Sequence, residues 1–200
     1  MSLVQKQAPD FTAAAVLANG EIVEDFNLKT YLKGSYGLVF FYPLDFTFVC
    51  PSEILAYSNR VPQFEERNVK VIAVSVDSQF THSAWRNTSP NNGGLGAVKF
   101  PMVADITKSI ARDYDVLIES DGVALRGTFL IDKEGVVRHA GINDLPLGRN
   151  ADEAIRLVDA LQFHEEHGEV CPAGWQKGDE GMVADAAGVA KYLGAHAEAL

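Results

Sequence analysis

Cysteine is scarce in this 200-residue chain, which contains only Cys50 and Cys171. Two cysteines cannot build a disulfide-rich scaffold, and in a reducing compartment cysteines are more often catalytic or redox-sensing than structural. Because the two lie far apart in the sequence, they cannot form a local C-x-x-C redox pair. Any chemistry of these thiols therefore depends on what folding places around each of them.

Basic residues are also in the minority, since 17 Lys and Arg stand against 27 Asp and Glu and give a formal net charge of −10. Nucleic acids and anionic membranes are bound by basic patches, so this balance argues against both as partners. No apolar run approaches the length of about 20 residues that a transmembrane helix needs. The N-terminal residues lack the basic segment and apolar stretch of a secretory signal, so the sequence predicts a cytoplasmic protein.

Apolar runs and amphipathic stretches alternate along the chain, and 47% of the residues are hydrophobic, which is enough for one sizeable core. The pattern predicts strands at 38–42, 69–76, 100–103, 126–131 and 136–140, and helices at 51–67, 78–86, 107–114 and 150–167. Pro62 should kink or break the first of these helices. This order predicts an α/β fold with a thioredoxin-like mixed sheet flanked by helices.

The character of the chain changes after Gly168. The remaining segment is rich in alanine and glycine and has few large apolar side chains. Such a segment contributes little to a core, so we expect a C-terminal arm that packs on another body, such as a second subunit.

The densest chemistry surrounds Cys50, which lies where a predicted strand gives way to a predicted helix. Helix N-termini carry free N–H groups and a partial positive charge, which favour an anion such as a thiolate. Thr47 lies one helical turn before Cys50, so its hydroxyl can reach the thiolate or a bound oxygen, and Pro43 can shield the site from water. Taken alone, a cysteine is more often a small buried hydrophobic residue, and that alternative stays open.

A reactive thiolate also needs a cation nearby, and two arginines are candidates. Arg126 begins an otherwise apolar strand, whereas Arg149 stands close to the start of the last predicted helix. Residue type alone favours exposed surface for both, because arginine is almost never fully buried unless it is paired. Asp45 lies near Cys50 as well, but a carboxylate beside a thiolate would oppose ionisation of the thiol, so we expect Asp45 to point away.

Several longer stretches of the sequence resemble the motifs of one known protein family. The segment FYPLDFTFVCPSE at 41–53 resembles the peroxidatic motif of typical 2-Cys peroxiredoxins of the alkyl hydroperoxide reductase C type. Further matches extend along almost the whole chain: SVDS at 75–78, AW at 84–85, GGLG at 93–96, RGTF at 126–129, NDLPLGR at 143–149 and GEVCPAGW at 168–175. So many separate matches identify the chain as a member of that family.

The resemblance implies a role for each matched residue. Cys50 would be the peroxidatic nucleophile, and Cys171 would be the resolving cysteine. The residues that would frame the nucleophile and bind the peroxide oxygens are Pro43, Thr47 and Arg126. Glu53 and Arg149 would form a supporting ion pair beside the active-site arginine.

The resemblance also implies the organisation and chemistry of the protein. Residues 1–168 would form the thioredoxin-like peroxidase domain, and residues 169–200 a C-terminal arm that carries the resolving cysteine. Hydrogen peroxide and alkyl hydroperoxides would oxidise Cys50 to a sulfenic acid, which Cys171 would convert into a disulfide. Thioredoxin or a flavoprotein reductase would then reduce that disulfide, with no metal or organic cofactor.

The family further implies an antiparallel homodimer with an intersubunit disulfide, and a decamer of five such dimers. One sequence by itself leaves open whether the bridge lies within or between chains. Sensitive family members combine the Gly-Gly-Leu-Gly loop with a C-terminal Tyr-Phe motif, whereas this chain has the loop but reads Tyr192-Leu193. We therefore expect intermediate sensitivity to overoxidation of the sulfenic acid.

Two other functions stay open. Some rings of the family act as holdase chaperones when they are overoxidised or assembled into larger species, which gives this chain a secondary function to consider. A general thiol–disulfide oxidoreductase is the second alternative, although the absence of a C-x-x-C motif argues against it.

The histidines offer little further chemistry. His164 and His167 near Cys171 suggest a metal site, but they lack a zinc-ligand pattern, so a solvated helix end is the better interpretation. His82 and His139 have no nucleophile or acid at a useful spacing, and we expect ordinary core or surface histidines.

Overall fold

The computed structural model describes residues 2–198 and 200. The strands are β1 (Thr12–Val16), β2 (Ile22–Asn27), β3 (Tyr36–Phe41), β4 (Val69–Ser75), β5 (Met102–Ala104), β6 (Leu117–Ile118), β7 (Val123–Ala124), β8 (Arg126–Ile131) and β9 (Val137–Asn143). The helices are α1 (Leu28–Leu32), α2 (Cys50–Asn59), α3 (Val61–Glu65), α4 (Gln79–Asn87), α5 (Ser109–Asp113), α6 (Ala151–His167) and α7 (Ala186–His196). No helix of these described residues is long and apolar enough to cross a membrane.

The central sheet has seven strands in the order β2-β1-β5-β4-β3-β8-β9, and β6 pairs with β7 apart from it. The pairs β3–β4 and β4–β5 are parallel, whereas the remaining pairs of the sheet are antiparallel. All six residues of β3 are buried, as expected for a central strand that is covered on both faces. The mixed sheet flanked by helices that the sequence predicts is confirmed.

The core is formed largely by side chains of the middle strands. Val39, Phe41 and Ile72 are completely buried, and the rings of Phe41 and Phe129 pack edge to face with centroids 5.8 Å apart. Burial of each such side chain stabilises the fold by about 1.5–3 kcal/mol, so these strands form a rigid base for the loops at their ends.

The helix predicted at 51–67 is broken, as its proline indicates. α2 ends at Asn59, and α3 begins at Val61 with Pro62 in its first turn. Proline lacks the N–H that would continue the ladder of α2, and it is tolerated in the first turn of α3, where that N–H would have no partner within the helix.

The sequence pattern does not predict the first hairpin or the last helix. Three of the five residues of β1 are alanine, which has a weak preference for strands. α7 contains two glycines, which weaken helices, and it is stabilised at its start by Asp185, whose side chain accepts a hydrogen bond from the N–H of Gly188. Local propensity is therefore a poor guide to both elements.

The chain divides into two compact units, Met1–Ala151 and Asp152–Leu200. The first unit contains the sheet. The second contains nearly all of α6, a backbone bridge between Val170 and Met182, and α7. Because this boundary falls at the start of α6, the functional division at residue 168 into a domain and an arm stays a prediction.

The register of β3 and β8 determines which loops meet at one end of the sheet. β3 leads at Phe41 into the loop that precedes Cys50, and β8 runs antiparallel beside β3 with Thr128 opposite Phe40. Arg126, the first residue of β8, is therefore placed at the same end of the sheet as Cys50.

Candidate active site

Cys50 is the first residue of α2 and is only 1% exposed. Val49 at the N-cap makes no side-chain hydrogen bond to the helix, and Pro51 follows in the first turn. The partial positive charge of the helix N-terminus is therefore available to stabilise an anion on the sulfur. Burial alone would also fit an inert cysteine, so the neighbours of the sulfur decide between the two interpretations.

Thr47 is the first of these neighbours. Its Oγ1 lies 3.1 Å from Sγ of Cys50 and 2.7 Å from the carbonyl oxygen of Leu44. A hydroxyl has one proton and two lone pairs, so it can donate to the sulfur or donate to the carbonyl and accept from a group bound near the sulfur. Pro43 is buried in the same loop.

Arg126 is the second neighbour, and it is 3% exposed. Its Nη1 lies 3.4 Å from Sγ of Cys50 and 2.7 Å from Oε2 of Glu53, while its Nε donates to the carbonyl oxygen of Leu145 at 2.7 Å. The solvent-facing position that residue type favours is wrong for this arginine, because Glu53 supplies the partner that makes its burial tolerable. Within residues 2–198 and 200, the Nη2 group of Arg126 has no hydrogen-bond acceptor.

Glu53 lies buried between two arginines. Its Oε2 accepts from Nη1 of Arg126 at 2.7 Å and from Nη2 of Arg149 at 2.9 Å, and its Oε1 accepts from the backbone N and the Nε of Arg149 at 2.9 and 2.8 Å. Arg149 also donates to the carbonyl of Gly127 at 2.8 Å, and its side chain is 6% exposed. The surface position favoured for Arg149 is therefore wrong as well.

The ion-pair cluster beside Cys50 carries a net positive charge. Two guanidinium groups face one carboxylate, which leaves one positive charge in a buried site. Because an uncompensated buried charge is costly, this site favours negative charge that develops close to the guanidinium of Arg126. The sulfur of Cys50, 3.4 Å from Nη1 of Arg126, is therefore placed where a reaction that builds up negative charge is stabilised.

A buried polar network holds the loop before Cys50, and sequence reasoning missed it. The carboxylate of Asp45 accepts from the hydroxyl of Tyr42 at 2.7 Å and lies 2.7 Å from Nδ1 of His82. Burial, together with the nearby charge of Asp45, raises the pKa of Tyr42 well above its ordinary value, so this hydroxyl stays protonated and donates. The backbone N–H of Asp45 donates to Asp77 at 2.9 Å.

This network settles two expectations. Asp45 turns its carboxylate to Tyr42 and His82, in agreement with the expectation that it points away from the sulfur. His82 is a completely buried core histidine, as expected, but the view that no acid partners it is wrong. Asp45 is that partner, and only the separation of 37 positions concealed it.

Cys171 belongs to the second unit, where it is half-buried. Its Sγ donates to the carbonyl oxygen of Ala160 at 3.3 Å. Burial raises the pKa of the Cys171 thiol, and the nearby guanidinium of Arg156 opposes that shift. The thiol form is therefore favoured at neutral pH.

The two histidines near Cys171 bind backbone groups. Nδ1 of His164 lies 2.8 Å from the carbonyl oxygen of Glu169, and Nδ1 of His167 lies 3.0 Å from that of Phe163. Across residues 2–198 and 200, no group of three or more His, Cys, Asp or Glu residues could hold a metal ion.

Known families match most of the chain. Residues 4–140 match the model of the AhpC/TSA family, and residues 160–195 match the model of the C-terminal domain of 1-Cys peroxiredoxin. The second match includes Cys171.

Individual relatives cover nearly the full length. Alkyl hydroperoxide reductase C of Helicobacter pylori is 62% identical over 191 residues, which cover 96% of each chain. The mitochondrial thioredoxin-dependent peroxide reductase of Drosophila melanogaster is 52% identical over 172 residues, 86% of this chain and 72% of that protein. The crystal structure of the reduced 2-Cys peroxiredoxin of Plasmodium vivax is 49% identical, with a TM-score of 0.93 over 97% of this chain and 100% of that one. This likeness confirms the thioredoxin-like fold predicted from the sequence.

Proposed function

This chain belongs to the AhpC/TSA family and is a peroxiredoxin, a peroxidase that reduces peroxides with a thiol, and we propose that Cys50 is the thiol that peroxide oxidises. The observation that carries this assignment is the convergence on one sulfur of a helix N-terminus, the Thr47 hydroxyl and the Arg126 guanidinium. Each of these groups favours negative charge, and together they distinguish Cys50 from an inert buried cysteine.

In the proposed first step, the Cys50 thiolate attacks one oxygen of the peroxide. The S–O bond forms as the O–O bond breaks, Cys50 is oxidised to a sulfenic acid, and the leaving oxygen takes up a proton as water or an alcohol. Negative charge develops on both oxygens during this displacement. Thr47 and Arg126 supply hydrogen-bond donors that stabilise this charge. The Nη2 group of Arg126 has no acceptor among the described residues, so it can donate to the peroxide. Pro43 helps to exclude water from the reacting atoms.

In the proposed second step, Cys171 resolves the oxidised cysteine. Its sulfur attacks the sulfenic sulfur, a disulfide forms and water leaves, so that the two electrons taken by the peroxide now come from both cysteines. Because Cys50 is buried at the start of α2, the first helical turn has to unwind before the two sulfurs meet. Phe46 in the preceding loop has a φ of 53°, a left-handed conformation that is strained for an aromatic residue and favours such local opening.

The partner subunit is proposed to provide the resolving cysteine, so that residues 1–168 act as the peroxidase domain and residues 169–200 as the arm. β9 supports a dimer, because it lies at the edge of the sheet, and an edge strand can pair with a strand of a second copy. We also propose that five such dimers form a decamer and that the enzyme is cytoplasmic.

A dithiol protein closes the proposed cycle by reducing the disulfide through thiol exchange. The Drosophila relative is named as thioredoxin-dependent, which supports thioredoxin as the donor, and a flavoprotein reductase is the alternative. The substrates proposed are hydrogen peroxide and alkyl hydroperoxides. Peroxide-dependent oxidation of each purified donor by the enzyme would identify the reductant.

The assignment of the two cysteines is tested by separating single from repeated turnover. Cys50→Ser should consume no peroxide while keeping its circular dichroism spectrum and melting temperature. Cys171→Ser should consume about one equivalent of peroxide and then stop unless a small thiol is supplied, because its sulfenic acid cannot be resolved. Normal turnover by Cys50→Ser would refute the assignment.

A further inference from the structure

The turn that follows β9 supplies one of the two anchors of Arg126. The carbonyl oxygen of Leu145 accepts from Nε of Arg126 at 2.7 Å, and Glu53 holds Nη1 of the same guanidinium at 2.7 Å. A guanidinium is planar, so fixing two of its nitrogens fixes the plane of the whole group. The remaining Nη1 proton then points to Sγ of Cys50, 3.4 Å away.

Two side chains with no contact to the sulfur hold this turn. Asn143 Nδ2 donates to the carbonyl oxygen of Leu147 at 3.1 Å, and Oδ1 of Asp144 accepts from the N–H of Leu145 at 2.7 Å. A backbone bond from Leu147 N to the Asp144 carbonyl at 3.1 Å closes the turn. The direction of the Leu145 carbonyl therefore depends on the polar groups of Asn143 and Asp144.

The sheet register links this turn to the arginine a second time. Asn143 is the residue directly opposite Arg126 in the ladder between β8 and β9. The backbone of Asn143 is thus fixed relative to the backbone of Arg126, and its side chain binds the Leu147 carbonyl in the same turn that presents the Leu145 carbonyl to Arg126. Both ends of the arginine side chain are set by the same short segment.

We infer that Asn143 is a positioning residue for peroxide reduction, which acts through the Leu145 carbonyl to aim the Arg126 guanidinium at the sulfur of Cys50. Asp144 assists from the other side of the same turn. This inference rests on the proposed function of Arg126. Without the Asn143 amide, the turn relaxes, the Nε anchor weakens and the guanidinium can rotate about its remaining bond to Glu53.

The test combines Asn143→Leu, which keeps the approximate side-chain volume but removes the donor, with Asn143→Gln, which keeps an amide. Asn87→Leu, an exposed asparagine at the end of α4, is the matched control. The rate of Cys50 oxidation by hydrogen peroxide is measured by stopped flow in the natural chain and in an Arg126→Lys background.

We expect Asn143→Leu to slow oxidation by about tenfold, because it weakens the hydrogen bond from the charged Arg126 guanidinium to the Leu145 carbonyl. Asn143→Gln should recover part of the rate, and Asn87→Leu should leave it unchanged. In the Arg126→Lys background, Asn143→Leu should cause no further loss, because the group that it positions is gone. Asp144→Ala should reproduce the pattern, so the inference can be tested with a second variant if Asn143→Leu does not fold.

Equal slowing by Asn143→Leu in both backgrounds, or no slowing in either, would overturn the inference and leave the assignment of Cys50 intact. An unchanged rate for Arg126→Lys alone would instead refute the proposed function of Arg126. The two failures are therefore distinguishable.

Discussion

The guanidinium of Arg126 lies 3.4 Å from the sulfur of Cys50, although 76 positions separate the two residues in the sequence. The antiparallel register of β3 and β8 brings them together, and the bond from Arg126 to Glu53 holds the cation beside the sulfur. The site is therefore organised before peroxide arrives, and each of its connections can be tested separately.

Arg126→Lys should reduce the rate of Cys50 oxidation by about a hundredfold, the usual cost of removing one donor to a developing negative charge. Lysine keeps the positive charge but cannot bind the Leu145 carbonyl, Glu53 and the peroxide at once. Stopped-flow measurement with hydrogen peroxide gives the rate, and Arg138→Lys on the neighbouring strand is the control. A loss of less than twofold would contradict the role of the guanidinium.

Glu53→Gln should lower the free energy of unfolding by about 3–5 kcal/mol, because it leaves two buried guanidinium groups without their shared carboxylate. The side chains of Glu53, Arg126 and Arg149 are 1%, 4% and 6% exposed, so water cannot solvate the guanidinium groups that lose their partner. Denaturant unfolding measures the change, with Glu119→Gln, which breaks the exposed pair with Arg112, as the control. Equal effects of the two substitutions would refute this account.

Alkylation of Cys171 should require a higher pH in the folded protein than in the unfolded chain. Burial raises the pKa of this thiol, so the thiolate that reacts with iodoacetamide becomes populated only at higher pH. Because Arg156 opposes the shift, Arg156→Gln should move the alkylation profile further upward, whereas Lys177→Gln in the same unit should not. These profiles are measured in Cys50→Ser, and a downward movement for Arg156→Gln would contradict the prediction.

Oxidised protein should migrate as a disulfide-linked dimer on a non-reducing gel, because the proposed bridge joins Cys50 of one copy to Cys171 of another. One equivalent of hydrogen peroxide should produce the dimer band, and Cys50→Ser and Cys171→Ser should each abolish it. A monomer band alone, with both thiols lost, would show that the bridge lies within one chain.

Leu193→Phe should increase the yield of sulfinic acid at Cys50 for a given dose of peroxide. Leu193 lies in α7 and is 44% exposed, and phenylalanine would create the Tyr-Phe motif that the family resemblance links to sensitivity. Slower unwinding of the Cys50 helix leaves the sulfenic acid longer in contact with peroxide. Mass spectrometry measures the sulfinate, and Val189→Phe on the same helix is the control. Equal sulfinate yields from the parent chain and Leu193→Phe would contradict the prediction that residue 193 affects overoxidation.

Features that depend on neighbouring residues could be predicted from the sequence. Cys50 begins a helix because an apolar strand precedes it and Pro51 suits a first turn, and Pro62 ends that helix by removing a backbone donor. The weak elements β1 and α7 could not be predicted in this way, because alanine and glycine give little local signal and those elements depend on tertiary context.

The sequence by itself determined which chemical groups this protein possesses and, through its motifs, the family to which it belongs. Only the tertiary structure decided that Arg126 and Arg149 are buried rather than exposed, because the carboxylate that pairs with both belongs to Glu53 on a different element. The same holds for Asp45 and His82, which meet across 37 positions, and for the Leu145 carbonyl that anchors Arg126. Such contacts follow from strand register and loop closure, and no local pattern of residue types specifies them.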